Sequence, residues 1–144
     1  MDESLRDELI PASMTQAATA PGELARRVTP LTVVADLTET VATYLALGFE
    51  QVDSGDAGCV GLRAGGTYHV VATKAHMERQ FSPLTVALLM DRTTPYVYVT
   101  SLDEAKARLS PVAAVVEQAA ATGGVREAVV ETDGQLLVLA EKLD

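Results

Sequence analysis

Along most of this chain hydrophobic and polar positions alternate, and the alternation gives way to helical spacing in only a few short runs, so strands dominate the reading. Leu31-Thr32-Val33-Val34-Ala35 reads as a strand, and Asp36-Leu37-Thr38-Glu39 opens a helix with an acidic residue near its positive end. Val41, Tyr44, Leu45 and Leu47 supply an apolar stripe at helical spacing, and Gly48 follows where a left-handed cap belongs. Residues 49–53, 59–63 and 67–73 are three further strands, separated by Asp56-Ala57-Gly58 and Gly65-Gly66. A Gly-Gly pair suits a type I′ hairpin turn, in which both central residues need positive φ.

The same grammar returns after a connector spanning residues 74–94, whose 84–90 portion fits either a strand extension or a buried helical turn. Strands at 95–100, 112–117, 125–132 and 135–141 and a helix at 101–109 form the second copy, with Asp133-Gly134 as its last turn. Asp36-Leu37-Thr38-Glu39-Thr40-Val41-Ala42 lies over Ser101-Leu102-Asp103-Glu104-Ala105-Lys106-Ala107, and Gly66 lies over Gly134, so the chain is a repeat of about 50 residues. The expected fold class is α+β. Two βαβββ modules, about residues 29–74 and 94–143, make one domain of residues 29–144, preceded by an N-terminal arm of residues 1–28 with short helices at 5–10 and 23–27.

A chain of 144 residues, 48% hydrophobic and 22% charged, can bury one sizeable core. Its net charge of −9 argues against nucleic acid or anionic lipid as a partner. One cysteine, Cys59, forms no intrachain disulfide, and the start of the chain lacks the basic and apolar segments of a signal peptide. No apolar run approaches the roughly 20 residues of a membrane span. A cytoplasmic location is expected.

Leu31-Thr32-Val33-Val34-Ala35-Asp36-Leu37, Leu45-Ala46-Leu47-Gly48-Phe49-Glu50, Gly124-Val125-Arg126-Glu127-Ala128 and Asp133-Gly134-Gln135-Leu136-Leu137 together resemble the vicinal oxygen chelate superfamily of glyoxalases, extradiol dioxygenases and bleomycin-resistance proteins. The resemblance covers residues 30–143. It implies two modules whose sheets curve around a pocket and, in metal-dependent members, His or Gln on the first strand of a module and Glu on its last. Carried over here, those positions fall near Thr29 and Thr94, at Val138, and at His69 or Val70 depending on whether Gly65 or Gly66 anchors the turn. A divalent ion needs several N, O or S donors at about 2 Å, so no metal and no cofactor is expected.

Strand alternation puts Tyr96, Tyr98 and Thr100 on one face, and Leu136, Val138 and Ala140 on one face of the last strand, which the resemblance makes the concave side. The candidate ligand-binding residues are therefore Tyr96, Tyr98, His69, Arg63, Arg126 and Val138. Each has a plainer explanation as a strand former, a satisfied histidine, a solvated arginine or core. No nucleophile triad, acid–base pair or phosphate loop stands out. The function implied is a metal-free small-molecule-binding protein, a homodimer whose ligand is apolar or aromatic. The alternative is a lyase, isomerase or dioxygenase-like enzyme in which His69, His76 and Glu131 or Glu141 converge on a metal. A third reading is an interaction module whose pocket is filled by its own side chains or by the arm.

Overall fold

The computed structural model describes residues 23–121 and 123–143. Their order is β1 (Ala25–Val34), α1 (Leu37–Ala46), β2 (Glu50–Asp56), β3 (Cys59–Ala64), β4 (Thr67–Thr73), α2 (Lys74–Met77), α3 (Pro83–Leu89), β5 (Thr93–Val99), α4 (Leu102–Leu109), β6 (Ala114–Gln118), β7 (Val125–Thr132) and β8 (Gln135–Lys142). The α+β class and the two βαβββ modules hold. The eight strands form one open, curved sheet in the order β2-β3-β4-β1-β5-β8-β7-β6.

The modules meet within the chain, where β1 runs antiparallel to β5. Pro30 lies opposite Pro95 in that seam, and the register makes Thr29 the counterpart of Thr94 and Leu31 the counterpart of Tyr96 under an approximate two-fold axis. Proline donates no backbone hydrogen bond. The outer parallel ladders accordingly begin one residue further on, at Leu31↔Val70 between β1 and β4 and at Tyr96↔Val138 between β5 and β8. The same pairings make Val70 the counterpart of Val138, which fixes Gly66 rather than Gly65 as the partner of Gly134.

Helix starts follow the sequence closely. The Asp36 carboxylate accepts from the Thr38 N–H at 2.7 Å, and the Ser101 hydroxyl accepts from the Glu104 N–H at 3.1 Å, each satisfying a donor left free at a helix N-terminus. On the convex side, α1 packs Leu37, Val41 and Tyr44 against Val34, Val60, Leu62 and Val71. Helix α4 buries Leu102 and Ala105 against Val99, Ala128, Val130 and Leu139.

Several expectations need correction. Residues 23–27 are not helical; β1 begins at Ala25 because β5 is available to pair with it from Ala25↔Val99 onward. The helix expected at residues 5–10 lies outside the described residues. Leu45 and Leu47 are exposed, so the buried stripe of α1 runs through Leu37, Val41 and Tyr44 instead. At Gly65-Gly66 only Gly65 has positive φ, 58°, the pattern of a type II′ turn, whereas Asp133 and Gly134 are both positive at 49° and 80°, as type I′ requires.

The connector resolves as two helices over the concave face. Pro83 begins α3 behind a Ser82 cap, and Val86 and Leu89 pack on Leu31, Val33, Leu136 and Val138. Glu117 of β6 fastens the start of this helix by accepting from the Ser82 N–H, the Ser82 hydroxyl and the Thr85 hydroxyl. One end of the concave face is thus plugged by the chain itself, and the other is open.

Candidate functional site

The open end holds a cavity of about 1010 Å³. Its walls come from the two central strands, from β3 and β4, and from α2. Strand β1 contributes Thr29 and Leu31, β5 contributes Tyr96 and Tyr98, β3 and β4 contribute Cys59, Arg63, Tyr68 and Val70, and α2 contributes His76 and Met77. Glu127 of β7 reaches in from the second module.

Tyr96 and Tyr98 meet edge to face with ring centroids 5.1 Å apart, and the Arg27 guanidinium lies over the Tyr98 ring at 4.5 Å. These contacts fix two aromatic walls in place. The Tyr96 hydroxyl donates to the carboxylate of Glu127, whose residue is only 8% exposed. Burial pushes the Glu127 carboxyl above the usual carboxylate range, against the opposing effect of the Tyr96 bond, and burial together with the Glu127 charge pushes the Tyr96 phenol upward. Burial and the nearby Asp56 charge also raise the Cys59 thiol, which makes it a packed group rather than an activated nucleophile.

At the α2 side, His76 Nδ1 lies 3.4 Å from Asp56 Oδ2, yet it is buried without a hydrogen bond among the described residues. The Gly58 N–H and the Arg79 guanidinium hold the Asp56 carboxyl below its ordinary range. Gly58 is needed for this approach, because a Cβ there would stand 3.0 Å from both His76 Cβ and Thr73 Oγ1.

Three of the residues singled out from the sequence, Tyr96, Tyr98 and Arg63, line the cavity. The other three do not. The ring of His69 points to the convex side, where Nε2 bonds Thr32 Oγ1 at 2.7 Å and the ring stands edge-on to Tyr44. Arg126 also faces the convex side, paired with Asp103 at 3.3 Å and Glu141 at 3.5 Å. Val138 belongs to the concave face but is wholly buried in the cluster with Val86 and Leu89. His69, His76 and Glu131 or Glu141 do not converge: Glu141 accepts from the Leu102 N–H at the start of α4, and Glu131 is exposed on β7.

Glu127 was missed. A signal for it existed: pairing from the Asp133-Gly134 turn sets Glu127 opposite Ala140, a residue already assigned to the concave face.

The positions that the resemblance assigns to metal ligands are Thr29, Val70, Thr94 and Val138, two hydroxyls and two alkyl groups. This set does not fit a divalent cation. Among the described residues no group of three or more His, Cys, Asp or Glu is placed to hold a metal ion.

Comparison with solved structures places the fold. A glyoxalase/bleomycin resistance protein/dioxygenase superfamily member from Vibrio splendidus 12B01 matches 81% of this chain and 98% of its own, at a TM-score of 0.54 and 16% identity. Methylmalonyl-CoA epimerase from Mycobacterium tuberculosis matches 88% of this chain and 95% of its own, at 0.56 and 18%. A hypothetical protein from Bacillus halodurans C-125 matches 82% and 95%, at 0.57 and 15%. The chain therefore has the fold of the glyoxalase/bleomycin resistance/dioxygenase superfamily, as its sequence resemblance implied. No protein-family model matches the chain, and no curated protein matches its sequence. No helix of the described residues is long and apolar enough to cross a membrane.

Proposed function

We propose that this protein binds a flat, mainly apolar or aromatic small molecule in the open end of its concave face, without a metal ion. The observation that carries the reading is the cavity of about 1010 Å³ walled by the crossed rings of Tyr96 and Tyr98. Its volume is at the upper end of what small-molecule sites occupy, and its surroundings combine aliphatic walls with a few fixed polar groups. Arg63 and Tyr68 are exposed at the rim, where they can close over a bound ring. In this reading the protein is cytoplasmic and two copies associate, because β2 and β6 end the sheet as open edges.

The test is a thermal-shift screen of aromatic compounds followed by titration of the hits. Each tyrosine ring contributes roughly 0.5–1.5 kcal/mol of stacking, so the Tyr96→Ala, Tyr98→Ala double variant should lose between about 5-fold and 140-fold in affinity. An affinity unchanged in the double variant would place the ligand elsewhere. Native mass spectrometry of the purified protein reads metal content and subunit number together; a stoichiometric metal ion that survives dialysis, or a monomer at micromolar concentration, would contradict those parts of the reading.

A further inference from the structure

We propose that the ligand carries a protonated nitrogen, held by the Glu127 carboxylate at the inner end of the cavity against the ring of Tyr96. The inference rests on the ligand site proposed above and names the chemistry of its occupant.

The argument is one of unmatched charge. Glu127 lines the cavity, is 8% exposed, and accepts a side-chain hydrogen bond from Tyr96. Among the described residues no lysine, arginine or histidine lies within ion-pair distance of it: His76 of α2, seated beside Asp56, acts on it only at longer range, Arg63 pairs with Glu50, and Arg27 lies over the Tyr98 ring. A buried carboxylate with one neutral donor is costly unless a positive charge reaches it. Glu127 lines the cavity, and a ligand there can supply one. The two tyrosine rings next to it add the face that an aromatic cation prefers, since an ammonium close to a phenol ring is attracted by its quadrupole as well as by the carboxylate. The net charge of −9 favours the approach of cations over anions to the same site. Glu127 changes the preferred occupant from a purely apolar ring to one bearing an amine or amidine.

The experiment compares two dyes of one ring system, acridine, which is neutral at pH 7.5, and 9-aminoacridine, which is protonated there, by fluorescence titration at physiological salt. The wild-type protein should bind 9-aminoacridine about ten-fold or more tightly than acridine. Glu127→Gln should abolish that preference, leaving the two dyes within about two-fold of each other. Should the Gln variant not fold, Glu127→Leu, which suits an apolar surrounding, takes its place with the same expectation. Equal binding of the two dyes by the wild type, or a preference that survives the substitution, overturns the inference and leaves the ligand site standing. Failure of both dyes to bind the wild type sinks the ligand site, and the inference falls with it.

Discussion

Glu127 concentrates the tension between stability and function at a single residue. Its carboxyl titrates higher in the folded chain than in the unfolded one, so over the interval between those two values the folded state holds the proton more tightly. Stability then falls as pH rises through that interval. Glu127→Gln removes the titration, so it should be more stable than wild type at pH 8, with the advantage shrinking toward zero as pH drops below the ordinary carboxylate range. Urea unfolding at several pH values measures this, and a difference independent of pH would show that Glu127 is not buried as described. Gly61 makes a second residue-level point. A Cβ at this position would overlap the hydroxyl end of Tyr68, the far end of an exposed side chain that can swing away. Gly61→Ala should therefore change stability by less than about 0.5–1 kcal/mol while displacing Tyr68 from the rim, seen as altered ligand association at near-normal melting temperature. Strand period sets Tyr96 and Tyr98 on one face, and the family resemblance makes that face the concave one. Glu127 and His69 were not legible in this way, because their faces depend on register, and a slip of one residue reverses the side on which a strand residue points.

Among the elements, the helix that plugs the concave face decides how much of it a ligand can use. Pro83-Leu84-Thr85-Val86-Ala87-Leu88-Leu89 is a short apolar run, and periodicity does not separate strand from helix over so few residues. The Ser82-Pro83 pair, a cap followed by a proline at the first helical position, was the local signal that could have settled it. Leu89 is fully buried by this packing, so Leu89→Ala should cost about 2–5 kcal/mol and extend the cavity toward Val33 and Leu136. Chemical denaturation gives the first quantity, and a gain in affinity for ligands longer than those the wild type accepts gives the second. The strands were easier to read than the connector. Residues 67–73 and 125–132 match their expected bounds because β-branched runs and firm turns delimit them, while the early start of β1 depends on a partner strand that lies 65 or more positions away.

For the whole molecule, the resemblance legible in four short segments extends to the complete sheet order, although nothing in those segments showed that the modules join within one chain. The seam that joins them is isologous: each module offers the other the same surface, with Pro30 opposite Pro95 and Thr29 standing to the first module as Thr94 does to the second. Such self-complementarity is the geometry of a symmetric dimer written into a single polypeptide. It has the form left by duplication and fusion of a gene for one module, whose product would have met a copy of itself along this edge. The covalent link between halves then supplies effective concentration rather than shape. A chain divided between α2 and α3, with both fragments expressed together, should consequently reassemble through the seam and co-purify, recovering the strand content of the intact protein by circular dichroism.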